Sequence, residues 1–167
     1  MTMKKFLAIA IIAIMMISLV SCGTKTYETE GFSIELSPTF IDGGSIAEEV
    51  LTSTGSKYEG NYAVYVSLIE GIGIIAATET SDEDFTAFEY TSNMADFLDV
   101  SSSEIFYING APAFECGSYF GDAPITTIIV CYEADGEFWM VASFCETAKY
   151  EDKKADMIAY LETIEVE

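Results

Sequence analysis

Two eight-residue stretches, ITTIIVCY at 125–132 and FWMVASFC at 138–145, carry apolar side chains at both odd and even positions. Their β-branched and aromatic content marks them as strands. Successive side chains of a strand point to opposite faces, so these two are apolar on both. Antiparallel sheets joined by hairpins commonly leave one face to water. This sheet needs cover on both sides, and the rest of the chain has to supply it.

The turns fix the strand directions. Asn109-Gly110 and Asp135-Gly136 suit type I′ hairpins, in which both central residues need positive φ. Between them, GDAP at 121–124 joins two further strands. Four consecutive antiparallel strands are expected, at about 104–108, 111–120, 125–133 and 137–145. FSIEL at 32–36 alternates as a first strand that Pro38 ends, and YAVYVSLIE at 62–70 reads as another. Residues 46–52 are expected to pair with it through a turn that Gly55 and Gly60 permit.

The cover comes from two helical patterns. Ser81 before Asp82, Glu83 and Asp84 reads as a hydroxyl cap followed by acids at the positive end of a helix dipole. Beyond it Thr86, Glu89, Asn93 and Asp96 share a polar side, and Ala87, Phe88, Tyr90, Met94, Ala95, Phe97 and Leu98 make a broad apolar one. A last helix starts near Tyr150, with Tyr150, Met157, Leu161 and Ile164 on one stripe and Lys153-Lys154 as a basic pair. The expectation is an α+β domain: an antiparallel sheet of six to seven strands with helices on both faces, an α-β-α sandwich. The alternative is a sheet with one face buried against a partner subunit.

The amino-terminal segment belongs to none of this. Lys4 and Lys5 precede an apolar run from Phe6 to Val20. As a helix that run spans about 22 Å, short of the roughly 30 Å of a bilayer's hydrocarbon core. It reads as a signal peptide. Its ending, Leu19-Val20-Ser21-Cys22, resembles the bacterial lipobox. That resemblance implies cleavage between Ser21 and Cys22 and a diacylglyceryl thioether on Cys22, with a further acyl chain on its amine. Two acyl chains suffice for stable anchoring where one does not. The expected organisation is a signal peptide at 1–21, a lipidated tether at 22–31 and one domain at 32–167. The expected location is the cell membrane, on its extracytoplasmic side. The covalent lipid is the only prosthetic group expected.

Without residues 1–21, five lysines face 28 carboxylates, and the chain has no arginine and no histidine. Nucleic-acid binding needs cations to displace phosphate counterions and is excluded as a function. Bidentate arginine capture of phosphate or carboxylate is excluded too. So are Ser-His-Asp and Cys-His catalysis and zinc sites that use histidine. Cys116, Cys131 and Cys145 are an odd set. The strand reading puts Cys116 and Cys131 on one face and Cys145 on the other. Three small apolar thiols are expected, with a diagonal 116–131 disulfide as the alternative.

The order of elements resembles the PsbP/Mog family. FSIELSPTF at 32–40 is similar to its opening strand, INGAPAFE at 108–115 to its turn into a long central hairpin, and LETIEV at 161–166 to its end. The resemblance implies an α-β-α sandwich over about 32–166 and a non-enzymatic accessory module. The family's members include lumenal photosystem subunits, a Ran-binding import factor and bacterial lipoproteins. It transfers no site residues.

Few residues stand out as site candidates. Tyr119 and Phe120 flank the Gly121 turn and are the candidate partner contact. Asp82, Glu83 and Asp84 are weak candidates for Ca²⁺, lacking the spacing of a calcium loop. GIGIIA at 71–76 fits a dinucleotide fingerprint, but IIAATET after it is too short and β-branched for the helix that site needs. The expected function is a membrane-anchored binding or assembly module. An acidic Ca²⁺-binding lipoprotein is one alternative, and a glycan hydrolase using a carboxylate pair is the second.

Overall fold

Asn109 and Gly110 both adopt left-handed backbone, with φ of 47° and 84°, as a type I′ turn demands. They link two strands in the computed structural model, which describes residues 23–44, 61–80, 85–101, 104–134 and 137–167. In chain order the strands are β1 (Lys25–Thr29), β2 (Phe32–Leu36), β3 (Ile41–Asp42), β4 (Tyr62–Ser67), β5 (Ile72–Thr80), β6 (Phe106–Ile108), β7 (Ala111–Phe120), β8 (Ala123–Ala134), β9 (Glu137–Glu146) and β10 (Glu165–Val166). Helix α1 spans Ala87–Phe97 and helix α2 spans Tyr150–Leu161.

Seven strands form the main sheet in the order β3-β4-β5-β9-β8-β7-β6, with neighbours antiparallel. The expected four-strand meander is there, each strand within a residue or two of its predicted bounds. One face of the sheet packs Ile72, Ile74, Ile128, Val130 and Val141 against Met157 and Leu161 of α2. Burying each such side chain contributes about 1.5–3 kcal/mol. The stripe of Tyr150, Met157, Leu161 and Ile164 is buried throughout. On the other face α1 lies against β7 and β8, over the buried Phe114 and Cys131, and Tyr90 stacks on Phe138 at 4.7 Å. Both faces of β8 are therefore covered, as ITTIIVCY requires.

Several expectations change. Residues 25–29, expected within a tether, form β1, because Tyr27 is buried against Tyr65 (ring centroids 4.8 Å apart) and donates to the Phe40 carbonyl. FSIEL joins no edge of the main sheet. As β2 it is the centre of a second, three-stranded sheet, β1-β2-β10, whose Phe32, Ile34 and Leu36 complete the α2 side of the core. Strand β4 stops at Ser67, and residues 68–71 turn. The cap of α1 is Thr86: Glu89 N donates to its Oγ1 and its own N–H donates to Glu89 Oε2, a capping box. The apolar side of α1 is narrower than expected. Only Thr91 and Ala95 are buried, and Phe88, Phe97 and Leu98 are exposed.

The expectations for the signal segment with Ser21 and Cys22, for 46–52 with Gly55 and Gly60, for Ser81 with Asp82, Glu83 and Asp84, and for the Asp135-Gly136 turn lie outside the described residues. Among the described residues, no helix is long and apolar enough to cross a membrane.

Candidate functional site

Ser67, Ile72, Cys145, Thr126 and Gly117 stand in one row across the main sheet. Two turns project beyond that row at the same end of the molecule. One is 68–71, closed by Gly71 at φ 68°, and the other is the tip of β7 and β8, closed by Gly121 at φ 60°. Each tip presents an exposed apolar pair, beside Glu70 at the first and Asp122 at the second. Leu68 is 86% exposed and Ile69 83%, and Tyr119 is 74% exposed and Phe120 62%. The expected exposure of the Tyr119–Phe120 pair is thus observed. The Leu68–Ile69 pair was not singled out from the sequence, where it reads as the continuation of a strand.

The 68–71 turn is held by a polar network. Thr39 Oγ1 donates to Glu70 Oε1 at 2.6 Å, and the Tyr160 hydroxyl donates to Glu70 Oε2 at 2.6 Å. Ser67 Oγ donates to Thr39 Oγ1 at 2.9 Å and accepts from Glu70 N at 3.1 Å. Ser37 Oγ lies 2.8 Å from Thr39 Oγ1. Partial burial raises the proton affinity of Glu70, but hydrogen bonds from Ser37, Thr39 and Tyr160, with the charge of Lys153, outweigh it and leave the carboxyl below its ordinary value. Burial, then the hydrogen bond to Glu70 and its charge, push the Tyr160 phenol well above its usual range. The network joins the β2–β3 connection, the β4–β5 turn and α2, so the apolar tip is fixed to three elements. Its members come from three separate segments of the chain, and no local spacing joins them.

A general acid near neutral pH needs a raised carboxyl. Glu70 and Glu89 shift down, Glu89 through its capping bonds with Thr86. The three thiols at 116, 131 and 145 are unpaired. Cys116 opposes Thr127 and Cys145 opposes Thr126, which puts Cys116 and Cys131 on one face and Cys145 on the other, as expected. Cys116 and Cys131 are separated by about four residues' length of strand, roughly 13 Å, too far for a disulfide. Burial raises all three thiols, Cys131 to about 12, which disfavours the reactive thiolate. Gly71 and Gly73 of the GIGIIA stretch serve a turn and a close packing. A Cβ on Gly73 would run into the Phe144 ring, and the residues through Thr80 continue as strand β5. No dinucleotide-binding helix opens there.

At the opposite end, a groove of about 220 Å³ is lined by Glu28, Gly31, Phe32, Glu165 and Glu167, among others. Its carboxylates do not converge. Among the described residues, no three His, Cys, Asp or Glu side chains are grouped so as to hold a metal ion.

No protein-family model matches the chain, and no curated protein matches it significantly. Solved structures do. A Bacteroides thetaiotaomicron protein superposes with a TM-score of 0.58 at 8% identity, covering 86% of this chain and 48% of that one. This chain therefore spans about half of that protein's length. Cyanobacterial PsbP (CyanoP) from Synechocystis superposes with a TM-score of 0.53 at 12% identity, covering 88% of this chain and 98% of its own. The Ran-binding protein Mog1p of Saccharomyces cerevisiae follows at 0.48 and 12%, covering 86% and 95%. The fold is the α+β sandwich of PsbP, as the opening strand, the 108–115 turn and the closing helix imply. At these identities the likeness extends to the fold alone.

Proposed function

We propose that this chain is an extracytoplasmic lipoprotein, anchored through an acylated Cys22, whose domain is a non-enzymatic binding module for a protein of the cell envelope. The observation that carries the reading is where large apolar groups remain in water. The core on both faces of β8 is closed, yet Leu98 and the 85% exposed Phe97 remain outside at the end of α1. Grouped apolar surface of this kind marks interaction sites. The lipobox-like LVSC supports the anchor, and the lack of histidine and arginine supports a module without turnover.

A photo-crosslinking residue at Phe97, introduced into the full-length protein in intact membranes, is expected to capture one discrete protein. Absence of any adduct, together with glycan hydrolysis abolished by a single Asp or Glu substitution, would replace this reading with the hydrolase one.

A further inference from the structure

We propose that the end of the molecule bearing the two apolar tips faces the membrane, with Leu68–Ile69 and Tyr119–Phe120 seated in the lipid interface. This rests on the anchoring reading above, and three placements support it.

The first is where the chain enters the fold. Lys25 opens β1 opposite Leu36. The next residue, Ser37, bonds Thr39, and Thr39 bonds both Ser67 and Glu70. Strand β1 therefore begins beside the 68–71 turn. Cys22 lies three residues upstream of Lys25, a reach of at most about 11 Å. Because β1 and the turn after it take up residues 25–31 of the expected tether, an acyl chain on Cys22 has to enter the bilayer next to this end.

The second is the side chains themselves. Two aliphatics at one tip and a tyrosine–phenylalanine pair at the other suit an interface with an apolar interior and a wet rim. The Glu70 network fixes the first tip, so little ordering is needed when it docks.

The third is charge. The described lysines are Lys25, Lys149, Lys153 and Lys154, and all four belong to this end. Lys149 follows β9 at the corner before α2. Lys153 is close enough to act on both Glu70 and Cys145. Lys154 pairs with Glu115 at 2.5 Å. Acids share the end: Glu70 in the first turn, the exposed Asp122 in the second, and Glu146, the partner of Lys149. At the opposite end Glu30, Glu133, Glu137, Glu165 and Glu167 form no ion pair with the described lysines. A polyanion tethered to an anionic bilayer has its lowest energy with the end that shows carboxylates and no lysine among the described residues turned away. The arrangement assigns Tyr119 and Phe120 to lipid rather than to protein.

The test uses the protein's single tryptophan. Trp139 is buried and lies six residues along β9 from Cys145, about 20 Å from the tips. The full-length acylated protein and its L68W, F120W and E30W variants are placed on phosphatidylcholine–phosphatidylglycerol vesicles with brominated acyl chains. The emission added by L68W and by F120W is expected to be largely lost. Wild type and E30W, whose new indole sits at the β1–β2 turn of the far end, are expected to keep theirs. Membrane-bound L68W and F120W that both retain full emission would overturn the orientation while leaving the anchor intact. Protein that does not sediment with vesicles and carries an unmodified Cys22 overturns the anchor, and this surface with it.

Discussion

Tyr160→Phe removes one hydroxyl and little else. The ring keeps its edge contact with Phe40, at 5.2 Å between centroids, so the substitution isolates the 2.6 Å bond to Glu70. A hydrogen bond to a charged group is worth about 1.5–3 kcal/mol. Glu70 is only partly buried and keeps its bond from Thr39, so the expected cost at pH 7 is about 1–2 kcal/mol. For a domain of this size that is a fall in Tm of roughly 2–8 °C. The pH dependence sharpens the test. The folded carboxyl of Glu70 lies below its ordinary value. Its stabilisation is therefore complete above the unfolded carboxyl pKa of about 4.3 and is lost as pH falls through the folded value. Urea or thermal unfolding of wild type and Y160F should show a gap at pH 7 that narrows toward pH 3. A Y160F protein as stable as wild type, or a gap of constant size down to pH 3, would refute the assignment of Glu70 as the charged hub of the turn.

Other outcomes follow from single contacts. Gly73→Ala drives a methyl into the Phe144 ring and should cost about 1–3 kcal/mol in urea unfolding, with partial recovery in a G73A/F144L double variant. Thr86→Ala breaks the capping box of α1 and should cost about 1 kcal/mol, read as a lower Tm. Cys131, buried and with its thiol raised to about 12, should resist a thiol reagent in the folded protein at pH 8 and react on unfolding in urea, whereas the half-buried Cys116 should react sooner.

Much of the fold was legible because its signals are local. Asn109-Gly110 and the two-faced strands set the meander and its need for cover. The stripe Tyr150, Met157, Leu161 and Ile164 set the closing helix. Strand β1 escaped because, of Lys25–Thr29, only Tyr27 is buried, and one inward residue leaves no alternation to read. The α1 cap was readable. Thr86 and Glu89 have the capping-box spacing, but the denser acids at 82–84 drew attention to Ser81. The extent of the α1 apolar side could not be read, since helical spacing says which residues share a side and not how much of it a sheet covers. Tyr119 and Phe120 were found because a glycine turn adjoins them. Glu70 and its partners were not, because Ser37, Thr39 and Tyr160 reach it from distant segments. The Leu68–Ile69 tip was hidden because a turn without a proline or an early glycine looks like a strand.

The central claim is that this domain is held to a membrane by a lipid on Cys22. The most direct measurement is the mass of the amino-terminal peptide of the mature protein, isolated from the membrane fraction of bacteria making the full-length chain. The expected result is a peptide beginning at Cys22 that carries a diacylglyceryl group, absent when Cys22 is replaced by alanine. An unmodified Cys22 within a longer peptide, from protein found in the soluble fraction, would contradict it.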